Sequence, residues 1–293
     1  MNTNANPFCF WLLLRILADP NDLVSRIRAE TAPYVNASQP TSTFSGISEP
    51  PRLRLSADKL VSSCPLFRSC YFEALRLDSA PWSLKYVDKD FVLPAPKQRP
   101  TDGHDGASVI RNLDHDANKT SSQAPAPGFQ LQAGGFVTIP HSAHHMDPDY
   151  YASPETFIPE RFLVPASTAT ATATTTAAGT ETKTPPPSSE KEQPKMRVDI
   201  GSLRPYGGGE GLCKGRNLAE RECLAMVAGI LALWDFEPVP AANKGTKKKG
   251  TEKEKEKTWR IPKHQNGNSV FKPVGDLRVR VRRRKLVPTP SGE

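Results

Sequence analysis

The sequence has no C-x-x-C pair and no cysteine–histidine spacing suited to a zinc site. Its cysteines, Cys9, Cys64, Cys70, Cys213 and Cys223, make an odd count of 5, which argues against a pure disulfide framework and for a reducing compartment. It also lacks an apolar run long enough to span a membrane, since Phe8–Leu17 is short and Arg15 interrupts it. No secretory pattern follows Met1, so composition alone describes a soluble intracellular chain. No nucleic-acid-binding module is evident. The formal net charge of +8 is concentrated in Lys244–Lys257 and Arg278–Lys285 and lines no groove, so no nucleic acid partner is expected. Hydrophobic residues are only 37% of the 293 and prolines number 29, so part of the chain lies outside any packed core. What remains suffices for one substantial core or two small ones.

What is present centres on residues 206–216, from Tyr206 through Gly207-Gly208-Gly209 and Cys213 to Arg216. An apolar strand end over Val198–Leu203 gives way to a glycine-rich loop that presents one cysteine. A helical pattern follows from Lys214 to about Leu233, with Leu218, Ala219, Cys223, Met226, Val227, Ile230 and Leu231 at helical spacing. Unpaired N–H groups and the positive dipole end at a helix N-terminus stabilise a thiolate. Glycines remove Cβ atoms where a flat ligand must approach the backbone. A thiolate on such a loop suits binding of a metal cofactor from one face.

The pattern Tyr206-x-x-Gly209-x-x-x-Cys213-x-Gly215 resembles the haem-binding signature of the cytochrome P-450 superfamily, with tyrosine at the usual phenylalanine. The run from Gly207 to Arg216 is similar to fungal members near the cholesterol 7α-hydroxylase and prostacyclin synthase group. Companion motifs lie upstream in the family's order. Cys64–Leu77 reads as a helix and holds Glu73 and Arg76. Alone, an i, i+3 pair is a surface bridge of small value. In the family it belongs to a helix beside the proximal haem face, and its third partner is an arginine in Pro159-Glu160-Arg161-Phe162. Three such charges paired as one buried network fix loop geometry without necessarily adding net stability.

The remaining elements are read in order. Asn4–Leu17 is a buried helix broken at Asp19-Pro20, and Asn21 or Asp22 caps a second helix to about Ala32 with Leu23, Ile27 and Ala29 inward. Residues 1–33 are an αα-hairpin or, by resemblance, the end of the distal helix and the helix after it. Ala57–Val61 is also helical. Trp82–Val87 and Phe91–Leu93 are expected to form a β-hairpin, and Phe129–Leu131 with Gly135–Pro140 a strand pair. His144 and His145 lack a third ligand at helical spacing, so His145 is expected to pack into the framework. Met146 stands where the family has arginine. Trp234–Val239 is a strand, and Trp259–Pro262 with Leu277–Arg282 is expected to close the chain as a hairpin within 257–286. Segments 95–127, 166–195 and 241–257 are polar or repetitive and are expected to be disordered insertions.

The fold class is therefore mainly α with small β-sheets (α+β), and the resemblance implies the C-terminal portion of the cytochrome P-450 fold. The motif-bearing segments are 1–33, 63–78, 203–233 and 257–286. The resemblance further implies haem b, with Cys213 as the axial iron ligand and Tyr206, Gly209 and Gly215 in the cofactor loop. Lys85 falls where a basic residue meets a haem propionate, or is a surface strand lysine. Asn4 is a candidate for the distal groove, or a polar residue at a helix start. Gly211 replaces an arginine that many members aim at a propionate, so that anchoring is weaker or comes from elsewhere. The activity implied is insertion of one oxygen atom from dioxygen into a lipid or other hydrophobic substrate. Electrons would come from NADPH through a cytochrome P-450 reductase. A haem-thiolate isomerase or dehydratase acting on a peroxide and a catalytically inactive fragment stand as alternatives. A full-length relative is expected at the cytoplasmic face of the endoplasmic reticulum, held by an N-terminal anchor that this chain lacks. The chain alone is expected not to be a competent monooxygenase.

Overall fold

The computed structural model describes residues 4–41, 49–94, 128–166, 195–239, 258–265, 267 and 269–290. The expected insertions 95–127 and 241–257 lie outside the described residues, as does 166–195 apart from its two end positions.

Three helices make the core. Helix α1 (Ala5–Ala18) is apolar nearly all round and buries Phe8, Trp11, Leu12, Leu14 and Ile16, which suits a helix surrounded on every side. Pro7 lies in its first turn, where a missing N–H costs nothing. Helix α2 (Leu23–Thr31) is preceded by Asp22 at φ 52°, and the Asp22 carboxylate accepts from the Ser25 hydroxyl at 2.9 Å instead of a backbone N–H. Leu23 and Ile27 are buried, but Ala29 faces solvent. The inward stripe of this short helix is thus only two residues wide, because Glu30 turns in beside Ala29 to accept from the N–H groups of Leu66 and Phe67 at 2.8 Å each. Those N–H groups open the helix formed by Pro65–Asp78 and lack intrahelical partners.

Helix α3 (Ala57–Ser63) leads into this buried helix, α4 (Pro65–Asp78). A short α5 (His141–His145) and the long α6 (Arg216–Leu233) complete the set. Cys223, Leu224, Val227, Ala228 and Leu231 of α6 join α1, α2 and α4 in one apolar cluster. Leu218 and Met226, read as part of the same stripe, are exposed. Among the described residues no helix is long and apolar enough to cross a membrane.

The strands pair differently from the sequence expectation. Trp82–Tyr86 lies antiparallel to Phe136–Pro140, and Phe91–Pro94 to Gly128–Leu131, so neither expected hairpin forms. The Val87 N–H donates to the Gly135 carbonyl at 3.0 Å and the Gly134 N–H to the Val87 carbonyl at 2.8 Å, joining both pairs into one long ribbon. Alternation in sequence marks strands but not partners, and here the partners are separated by segment 95–127. The terminal hairpin is likewise replaced. Val279–Arg283 pairs with Trp234–Pro238, and Trp259–Pro262 forms no strand. Glu237 sits opposite Arg280 and pairs with Arg280 at 3.6 Å and Arg282 at 3.4 Å, which accounts for part of the basic stripe. A three-stranded sheet of Val287–Pro290, Val35–Thr41 and Arg52–Leu55, with the first pair parallel, was not expected from sequence.

One buried acid ties the chain's C-terminal region to the core. Asp78 is fully buried and takes Arg15 through two bonds of 2.7 and 3.0 Å, with His264 Nε2 at 2.9 Å. The His264 ring stacks on Phe271 at 4.4 Å, and Trp11 donates to the Phe271 carbonyl at 2.7 Å. Breaking a buried pair on one side strands the other charge. Asp78→Ala is therefore expected to lower unfolding free energy by about 3 kcal/mol, seen as a lower urea midpoint; an unchanged midpoint would show that the clasp does not hold the structure together.

Candidate functional site

The cysteine loop is shaped by its own backbone. The Gly207 N–H donates to the Arg204 carbonyl at 3.2 Å, Leu212 to Gly209 at 3.1 Å and Cys213 to Tyr206 at 3.1 Å. Gly207 (φ 76°) and Gly209 (φ 63°) occupy the left-handed region that other residues enter only under strain. A Cβ on Gly207 would also come within 3.2 Å of the Ser83 hydroxyl. At the far end Arg216 starts α6 and its guanidinium donates to the Cys213 carbonyl at 3.1 Å. The loop is closed without using the thiol, and Cys213 is exposed.

The thiol borders a cavity of about 490 Å³. The start of α1, with Asn4, Ala5 and Phe8, forms one wall, and Tyr71 and Leu75 of α4 form another. Trp82 and Ser83 of the ribbon, and Ser269 with Val270, complete it. Tyr206 stands between the cavity and the core. Its hydroxyl meets that of Tyr71 at 2.7 Å, and Phe8 packs edge-on against Tyr71 at 4.9 Å. Burial pushes both phenols up, so both are neutral. Asn4 reaches the same cavity, where its side-chain oxygen accepts from the Ser269 hydroxyl at 3.0 Å. Lys85 points from the ribbon to the loop, and its ammonium donates to the Gly208 carbonyl at 3.2 Å. Gly215 precedes α6, and a Cβ there would be 3.9 Å from the Cys213 sulfur, an ordinary contact.

Away from the cavity, the structure brings Glu73, Arg76 and Arg161 together. Glu73 and Arg76 form a two-bond pair, both at 2.9 Å, with neither side chain exposed. Arg161 Nε reaches the same carboxylate at 2.9 Å, and the Ile158 N–H adds a fourth bond at 3.1 Å. Both guanidiniums then spread over carbonyls of the 152–156 turn. His145 lies beneath, fully buried, and its Nε2 accepts from the Arg204 N–H at 3.3 Å while Nδ1 has no partner. Burial, with His144, His141 and Arg76 nearby, pushes His145 down to about 3, so it is a neutral strut. Through it the charge network is linked to the start of the cysteine loop. Sequence reasoning singled out neither Ser83, Tyr71, Ser269 nor His141. Only alternation along the 82–86 strand, which puts Ser83 and Lys85 on one face, offered a signal.

These residues can hold a haem. Among the described residues no group of three or more His, Cys, Asp or Glu side chains can hold a metal ion. A metal at Cys213 therefore draws its other ligands from a macrocycle. One thiol on a glycine floor, facing an apolar and aromatic cavity with a lysine at its edge, is the donor set such a group requires.

Comparison with known proteins agrees with this chemistry. Residues 109–259 match the family described as Cytochrome P450. A cytochrome P450 monooxygenase, efuG, of Hormonema carpetanum is 26% identical over 97% of this chain and 42% of its own length. Prostacyclin synthase of Bos taurus is 26% identical over 80% of this chain and 36% of its own length. The chain thus spans less than half the length of these curated relatives. A solved zebra fish cytochrome P450 with abiraterone matches 96% of this chain and 45% of its own, with a TM-score of 0.52 at 18% identity, which concerns the fold alone.

The neutral His145 sets a pH dependence. Its pKa in the folded chain is below that of the unfolded chain, so below about pH 6.5 the unfolded state binds the extra proton and folding is disfavoured. Stability is expected to fall by up to about 1.4 kcal/mol per pH unit from this residue as pH drops from 6.5 toward 3. Comparing urea melts of the wild type and His145→Gln across that range checks it; equal slopes would remove His145 as the cause.

Proposed function

The chain belongs to the cytochrome P450 family, and from that membership we propose that it is the C-terminal part of a haem-thiolate monooxygenase in which Cys213 ligates the iron. The observation that carries this reading is the Cys213 thiol, left free on a self-closed glycine loop and turned to a cavity walled by Phe8, Tyr71 and Trp82. Haem, when bound, would activate dioxygen and transfer one oxygen atom to a hydrophobic substrate. The chain's own part is to hold and shape. The loop fixes the thiol, Tyr206 and Tyr71 brace the loop against α4, and Lys85 supplies a cation at the cofactor edge. Phe8, Leu75 and Val270 exclude water from the cavity. Asn4 and Ser269 place a hydrogen-bonded polar pair at the far wall. Electrons would come from NADPH through a cytochrome P-450 reductase. For a full-length relative the proposed location is the cytoplasmic face of the endoplasmic reticulum.

A second reading, an isomerase or dehydratase that rearranges a peroxide, is favoured by the similarity to prostacyclin synthase. It needs neither dioxygen nor reductase.

The purified chain is expected to take up haem, and Cys213→Ala to weaken that uptake at least about tenfold, the loss of one strong ligand. Titration with haem followed by absorbance measures it. Product formed from a lipid hydroperoxide without NADPH would favour the second reading over the first. Because the chain spans less than half of its relatives, NADPH-dependent turnover with reductase is expected to be negligible for the chain alone; robust product would overturn that point. Absence of uptake would leave a non-catalytic relative.

A further inference from the structure

The polar edge of the cavity carries positive charge and is short of acids. Ser83 lines the cavity, and its hydroxyl lies 2.9 Å from His141 Nε2. The His141 backbone is pinned beside it, its N–H donating to the Pro81 carbonyl at 3.0 Å. Lys85, two residues along the same strand face, reaches the loop carbonyl of Gly208. Its ammonium would lie 3.4 Å from a Cβ on Gly211 and 3.6 Å from one on Gly209. The Arg204 guanidinium donates only to the carbonyls of Gly201 and Leu203, at 2.9 and 3.0 Å. Among the described residues neither Lys85 nor Arg204 forms an ion pair with a carboxylate. The electrostatic record at His141 agrees. Burial, then Arg204, His144 and Lys85, all push its imidazole down, and no acid opposes them. Glu210 is the loop's own acid, and it is exposed to solvent.

We propose that Ser83, His141 and Lys85 form a carboxylate-binding corner at the edge of the cavity, which takes an acid group of the molecule that fills it. The proton inventory defines how. A neutral His141 that accepts through Nε2 uses the Ser83 proton, leaving that hydroxyl nothing to donate. A protonated His141 donates to the Ser83 oxygen, and the Ser83 O–H is released toward the cavity. A carboxylate arriving there accepts from Ser83 and attracts Lys85, so its binding and His141 protonation favour each other. The proton comes from solvent and no bond beyond it changes. The acid has two possible sources, a propionate of the porphyrin or the carboxylate of a substrate such as a fatty acid. For the first source the corner rests on the haem reading above and supplies the anchoring that Gly211 does not.

Two titrations decide it. Wild type is expected to bind haem at least about tenfold more tightly than haem dimethyl ester, the worth of a charge-assisted hydrogen bond. In Ser83→Ala and in His141→Phe that ratio is expected to fall to about twofold. The second arm compares a long-chain fatty acid with its methyl ester on the haem-free chain, read by tryptophan fluorescence, since Trp82 borders the cavity. A preference there that is lost in Ser83→Ala, without one for haem over its ester, assigns the corner to substrate. Circular dichroism matched to wild type keeps the variants comparable. If neither porphyrin is taken up, the haem reading fails and the fatty-acid arm alone decides the corner. Equal binding of acid and ester in every arm, or a preference unchanged in both variants, overturns the corner.

Discussion

The Glu73 carboxylate is the constraint on which the rest of the site depends. It is wholly buried and accepts from Arg76, Arg161 and the Ile158 N–H at once. Two cations for one anion is an expensive arrangement out of water, and the surplus is absorbed by carbonyls of the 152–156 turn. What the network provides is position. It pins the 158–162 segment to α4, where the Phe162 N–H also finds the Ser69 hydroxyl at 3.2 Å. The Asp199 N–H then donates to the Phe162 carbonyl at 2.9 Å, which carries the fixed geometry to the threshold of the cysteine loop. His145 adds a second strut from the same region to Arg204. The thiol is thus held by a relay of backbone bonds anchored on one acid, and its own sulfur stays available.

A second buried acid, Asp78, does for the distal wall what Glu73 does for the loop. It closes α4, the helix that carries Glu73, and grips Arg15 of α1 and His264. The two helices and the Ser269–Val270 wall therefore meet around α4, with the cavity between them. Position in this chain is set by charges at both ends of one helix, and the apolar cluster of α1, α4 and α6 supplies the burial that makes those charges binding.

Helices were legible because each carries its own signal. Pro65, the apolar face of α4 and the unbroken run of α1 mark them within a few residues. The loop was legible because glycines at 207 and 209 have conformations that few other residues adopt. Strand partners were not. Trp82–Tyr86 reaches past segment 95–127 to Phe136–Pro140, and Val279–Arg283 reaches back to Trp234–Pro238. Pairing at such distance leaves no local trace, and the polar 35–41 strand has no apolar alternation to announce it. In the site, motif spacing led to Cys213, Glu73, Arg76 and Arg161, whereas His141 meets Ser83 only through the folded ribbon. Family membership supports the haem at Cys213 at a coarse level; the roles of the individual residues rest on the geometry given above.

The most direct measurement is the carbon-monoxide difference spectrum of the purified chain, reduced in the presence of haem, beside Cys213→Ala. A strongly red-shifted Soret band present in the wild type and lost in the variant is the expected result, because only a thiolate opposite carbon monoxide produces it. The same unshifted band in both proteins, as for free or histidine-bound haem, would contradict the account, since Cys213 would then not hold the iron.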